Sequence, residues 1–228
     1  MDPDESLHLP LPDGTAVSAL LRVPEKAHAF YVFAHGAGAG MRHAGMASLA
    51  EELATTGVAT LRYQFPYMER GTKRVDSPAV AQAAVRAAVA MARQRLPALP
   101  LFAGGRSFGG RMTSQAQASA PLDGVSGLAF VAFPLHPAGA PAIDRARHLA
   151  DVRVPMLFLQ GTRDKLAELP LLTAVVEGLG SRATLHLVDD ADHSFHVRAS
   201  SGRTDADVVL ELARTMSAWF LAQGPAGR

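Results

Sequence analysis

Leu101-Phe102-Ala103-Gly104-Gly105-Arg106-Ser107-Phe108-Gly109-Gly110-Arg111 decides the reading of this chain. The apolar start has the character of a short buried strand, Leu101–Gly104, and the residues after Ser107 continue as a helix to about Ala118. A strand that passes straight into a helix must turn sharply, and the serine at the turn takes a strained backbone. Flanking glycines let the neighbouring main chains pass closely, which leaves the hydroxyl exposed at the carboxyl edge of a sheet. The amides that open the helix point toward any negative charge developing there. Chance alone supplies about 0.1 such Gly-x-Ser-x-Gly matches in a chain of this length, so the motif needs company.

The pattern on either side is one of apolar runs alternating with Ala-rich stretches of helical period, the signature of a mainly parallel sheet wrapped by helices. Leu7–Leu11 and Ala16–Val23, joined through Asp13-Gly14, form an antiparallel hairpin. Phe30–Ala34 is a buried strand, and a helix follows over Ala44–Thr55, stopping at Gly57. Val58–Tyr63 is the next strand and Gln64–Asp76 a loop. Ser77-Pro78 opens a helix, with serine as cap, that runs to Arg95 on an apolar face of Val80, Ala84, Ala87, Ala88 and Met91. Leu128–Phe133, Met156–Gln160 and Thr184–Val188 complete about eight strands. Helices fall near Ala142–Leu149, Ala167–Leu179 and Ala206–Ala222, and Gly224–Arg228 reads as a frayed tail. We expect one α/β domain over residues 1–228.

Two later strands carry the serine's partners. Met156–Gln160 leads through Gly161-Thr162-Arg163 to Asp164, and Leu185–Val188 leads through Asp189-Asp190-Ala191-Asp192 to His193. Ser, then Asp, then His, each just past a strand's carboxyl end, is an order that lets three loops converge. His193 would take the Ser107 proton and return it to a leaving group, and Asp164 would fix the imidazole tautomer. His196 is an alternative base, and Asp189, Asp190 and Asp192 are alternative acids. His193 is preferred because it follows its strand at once, and Asp164 because it stands beyond a separate strand. The small-residue loop His35-Gly36-Ala37-Gly38-Ala39-Gly40 offers backbone amides, so the N–H groups of Ala37 and Phe108 are the expected oxyanion donors. No Gly-Lys-Ser/Thr element follows that loop, which argues against a phosphate cradle. His35 is expected to pin the loop by hydrogen bonding.

The charge balance, 22 Lys and Arg against 21 Asp and Glu, argues against nucleic acid or an anionic membrane as partner. With no cysteine, thiolate chemistry and disulfides are out of reach. The spacing of His35, His43 and His136 matches no metal-ligand set, and no cofactor is expected. The acidic start Met1-Asp2-Pro3-Asp4-Glu5 is followed by no signal-like apolar stretch. Runs such as Gly127–Phe133 are far short of the about 20 residues that span a bilayer. We expect a cytoplasmic protein acting on a small molecule; oligomeric state leaves no trace in the sequence.

With these residues placed, the chain resembles the α/β-hydrolase superfamily along almost its whole length, and most of all its small dienelactone-hydrolase-like branch. His35-Gly36-Ala37-Gly38, Phe65-Pro66-Tyr67-Met68-Glu69, Gly104–Arg111 and Gln160–Asp164 carry the likeness. They are similar to a subgroup of compact bacterial serine hydrolases that also includes a subunit of a eukaryotic chromatin-acetylating complex. Dienelactone hydrolases proper use a cysteine nucleophile, which this chain lacks, so that activity is not implied. The resemblance implies a Ser-His-Asp esterase acting through an acyl-enzyme on a small ester, thioester or lactone; the alternative it raises is a non-catalytic interaction module on the same scaffold.

Only residues 134–153 separate two strands where many hydrolases insert a cap, so we expect an open, shallow site suited to small esters. Arg42, Arg106, Arg111, Lys73 and Arg74 stand near loops that rim it. They either recognise a substrate carboxylate or phosphate, or make structural ion pairs and face water. Tyr63, Phe65, Pro66, Tyr67 and Met68 either line the pocket or belong to the core.

Overall fold

A computed structural model describes residues 4–224. Eight strands form a single sheet: β1 (Glu5–Pro10), β2 (Ala16–Arg22), β3 (Ala29–Ala34), β4 (Val58–Tyr63), β5 (Leu101–Arg106), β6 (Val125–Val131), β7 (Met156–Gly161) and β8 (Ala183–Val188). Their order across the sheet is β1-β2-β4-β3-β5-β6-β7-β8, with β1 and β2 antiparallel to their neighbours and the rest parallel. β3 and β4 are buried along their full length, which is why they read as unbroken apolar runs.

Helices α1 (Ala44–Thr55) and α6 (Asp205–Gln223) cover one face; α3 (Pro78–Arg95), α4 (Phe108–Ser119) and α5 (Leu169–Leu179) cover the other. Alternate residues of β3 serve the two cores. Phe30, Val32 and Ala34 join Val85 and Met112, while Tyr31 and Phe33 join Leu53, Met216 and Phe220. The chain leaves β3 toward β4 on one side and returns to β5 on the other. The loops after β3 and β5 therefore diverge to opposite faces, and a crevice opens between them at the carboxyl edge. Among the described residues, no helix is long and apolar enough to cross a membrane.

Several expected boundaries and faces differ. β6 spans Val125–Val131 and not Leu128–Phe133, because Ala132 turns to φ 58° and ends the strand early. Within the expected loop Gln64–Asp76 lies a short helix, α2 (Pro66–Glu69), opened by Pro66 at its first position. Residues Asp144–Asp151 form a tighter 3₁₀ helix where an α-helix was expected. α5 begins at Leu169 instead of Ala167, with Pro170 in its first turn. α3 buries Ala81, Ala84, Val85, Ala88, Val89 and Ala92, leaving Val80 exposed. The stripe is turned by about one position, since alanines let the helix approach the sheet closely. Ser77 precedes α3 without making a side-chain cap bond. Gly224 follows α6; the rest of the expected tail, 225–228, lies outside the described residues.

Candidate active site

Ser107 sits between β5 and α4 with φ 49° and ψ −112°, a conformation that costs a non-glycine residue about 1–3 kcal/mol. The surroundings hold it there. Its N–H donates to the Val131 carbonyl at 3.0 Å, and its carbonyl accepts from the Arg111 N–H at 3.1 Å. A Cβ at Gly105 would lie 2.5 Å from the Ala34 oxygen, and one at Gly109 would lie 2.6 Å from the carbonyl oxygens of both Ala34 and His35. Any side chain at these two positions would push α4 off β3 and release the turn.

The loops after β7 and β8 meet this serine. The Ser107 hydroxyl lies 2.9 Å from Nε2 of His193, and Nδ1 of the same ring lies 2.7 Å from Oδ2 of Asp164. Asp164 is 4% exposed and its side chain fully buried, while the His193 ring is 26% exposed. The carboxylate is held from two further sides, by the Leu166 N–H at 2.8 Å on Oδ1 and by the Gln160 side-chain amide on Oδ2. Sequence reasoning passed over Gln160. A polar residue closing the run Met-Leu-Phe-Leu was the available signal, since a buried amide needs a partner.

Of the alternative partners, Asp189 is exposed and the other three are engaged elsewhere. His196 pairs with Asp205 at 2.9 Å, and that contact raises its pKa. Asp192 accepts from the Ser194 and His196 N–H groups at 2.7 and 3.0 Å and so shapes the loop that carries His193. Asp190 is bound by Arg198 and Arg163.

The loop after β3 is braced from below. His35 is fully buried, Nδ1–H donates to the Gly36 carbonyl at 2.8 Å, and Nε2 accepts the Phe65 N–H at 3.0 Å. These two bonds require the neutral ring, and burial lowers its pKa to about 4. The Tyr67 hydroxyl accepts from the Gly38 N–H at 3.3 Å. The loop stands beside the serine: a Cβ on Gly36 would lie 3.7 Å from that of Ser107. Ala37 is exposed, and its N–H has no acceptor among the described residues. The Phe108 N–H, at the first position of α4, has none within the helix.

Tyr63, Phe65 and Tyr67 are core residues; Phe65 and Tyr67 pack edge-on against Phe108, and Met68 is half-buried against the same core. Arg42, Lys73 and Arg74 are exposed. Arg111 lies over the Phe108 ring, 6.0 Å from its centre. Arg106 is half-buried and donates to the His193 carbonyl at 3.4 Å. His43 accepts from the Gly45 N–H at the start of α1, and His136 lies beside the Pro137 carbonyl and the Glu168 N–H.

A family model described as an alpha/beta hydrolase domain matches residues 27–221. Among solved structures, the chain is similar to a lidless α/β serine hydrolase from Xanthomonas campestris, with 22% identity, coverage of 100% of this chain and 98% of that one, and a TM-score of 0.75. It is also similar to a dienelactone hydrolase from Anabaena variabilis (20% identity, 97% and 98% covered, TM-score 0.74). The esterase domain of a Rhodothermus marinus protein is a third (16%, 96% and 98%, TM-score 0.73). Identities this low speak to the fold, and the matched family model to kinship. The chain belongs to the α/β-hydrolase superfamily.

Proposed function

We propose that this protein is a serine hydrolase that cleaves small carboxylic esters through an acyl-enzyme. The observation that carries the reading is the continuous run of contacts from the Ser107 hydroxyl through His193 to the buried Asp164, at 2.9 and 2.7 Å. Ser107 Oγ attacks the ester carbonyl as its proton passes to Nε2 of His193. Asp164 accepts the Nδ1–H bond and stabilises the imidazolium that results. The carbonyl oxygen becomes an oxyanion facing the Ala37 and Phe108 amides, which are free to donate. Collapse breaks the carbon–oxygen bond, and the departing alcohol takes the proton from Nε2. Water then repeats the sequence on the acyl-serine, delivering a proton to His193 and releasing the acid. No cofactor enters any step.

A fluorophosphonate probe tests the reading. Wild type should label and Ser107→Ala should not; an unlabelled wild-type protein, or equal labelling of the variant, sinks it.

A further inference from the structure

Arg106 borders a cleft of about 320 Å³ lined by residues of α1 and α6. Leu49, Val131 and Phe195 form apolar parts of its wall, and Ser48 and Ser194 are polar parts. Room for the guanidinium is built into the sequence. A Cβ on Gly45 would stand 2.9 Å from Nη1, so a larger residue there would displace the guanidinium from its present position. The Arg106 side chain stands between the loops that carry the site: its guanidinium donates to the His193 carbonyl at 3.4 Å, and its Cγ would lie 3.9 Å from a Cβ on Gly36.

The guanidinium has no carboxylate in direct contact with it among the described residues. Among the described residues, Arg106 makes no ion pair, and its hydrogen-bond partner is the neutral His193 carbonyl. Nearby carboxylates are committed: Asp164 to His193, Asp192 to two loop amides, and Asp205, also on the cleft, to His196 and the Val197 N–H. The Gly45 N–H is likewise taken, by His43. Burial lowers the Arg106 pKa, though Asp192 and Asp164 work against that shift. A half-desolvated guanidinium facing a mixed polar and apolar cleft, with two nitrogens free of protein acceptors, suits a carboxylate attached to a short apolar body.

We propose that this cleft receives a carboxylate carried on the substrate, so that the preferred substrates are half-esters of short dicarboxylic acids. The inference rests on the hydrolase reading given above. Monoethyl succinate, glutarate and adipate should be compared with the ethyl esters of butyrate, pentanoate and hexanoate. Wild type should favour the anionic member of at least one pair by about tenfold in kcat/KM, the worth of one charge-assisted hydrogen bond. Arg106→Gln should remove that preference, Arg106→Lys should keep part of it, and Ser48→Trp, which crowds the cleft rim, should shrink it. A wild type that favours the neutral ester at every length, or an Arg106→Gln that loses both activities equally, overturns the proposal.

Binding separates this inference from the catalytic one. Glutarate titrated calorimetrically into Ser107→Ala should bind, and about tenfold more weakly once Arg106→Gln is added. Absence of binding, or binding indifferent to Arg106, rejects the cleft whatever the protein hydrolyses. Glutarate should also compete with ethyl butyrate; non-competitive inhibition would make the cleft an effector site and end its assignment to substrate.

Discussion

Acid should weaken the fold through His35. Its folded pKa lies near 4 against an ordinary value near 6.5, so between these limits the unfolded chain binds the extra proton and stability falls as pH drops. From pH 7 to pH 5 the loss attached to this one ring is about 2 kcal/mol, rising to about 3 kcal/mol once the pH is well below 4. The structural cause is definite: protonating Nε2 destroys the acceptor for the buried Phe65 N–H. Urea unfolding followed by the single tryptophan, Trp219, whose ring packs against Phe102 and Phe220, reads this directly. His35→Gln should be less stable than wild type at pH 7, since it loses the ring contact with Phe65 at 4.9 Å. Its curve should nevertheless be flatter, converging on wild type by about 2 kcal/mol at pH 5. His148, whose pKa burial also lowers to about 4, persists in both proteins, so the difference between their slopes is the diagnostic quantity. Parallel curves would refute the claim that His35 is held neutral by its two hydrogen bonds.

Three further outcomes follow from the site. Asp164→Asn should keep the fold but lower kcat by about 10⁴, because the amide no longer fixes the His193 tautomer; a loss smaller than about tenfold would remove Asp164 from its role. Gly109→Ala should lower stability by about 1–3 kcal/mol, since its Cβ meets two backbone oxygens that cannot swing aside, and an unchanged Tm would contradict the close approach of α4 to β3. Across p-nitrophenyl esters, kcat/KM should fall beyond about six acyl carbons, because an open site recovers little of the roughly 0.8 kcal/mol per buried methylene. A steady rise to long chains would show a deep acyl channel.

What was legible in the sequence was whatever a short-range pattern dictates. β4 and α1 fall on their expected limits because Val58–Tyr63 and Ala44–Thr55 end where Gly57 and Gln64 interrupt the pattern. The meeting of Ser107, Asp164 and His193 was readable because each follows a strand, and parallel strands deliver their carboxyl ends to one edge. Interactions between distant segments that no strand end delivers to that edge were not readable. Arg62 lies in a fully buried strand and is 1% exposed because Asp4, from before β1, reaches across to pair with it. Nothing local to either residue announces that bond. The same holds for Gln160 and for the Tyr67 hydroxyl, whose roles exist only after β7 and α2 have been placed.

Arg106 shows how the limits of a strand set the direction of a side chain. When β5 is taken to stop at Gly104, the following residues belong to a turn and their directions are free. The strand in fact continues through Arg106. Successive side chains of a strand face opposite sides, so once Gly105 must face Ala34 and α4 to allow their close approach, Arg106 must face α1 and α6. That alternation places the guanidinium beneath the His193 loop and beside Gly45, remote from the aromatic core around Phe108. The backbone requirements of the serine turn thus, through strand parity, also aim the Arg106 guanidinium toward the cleft that α1 and α6 line.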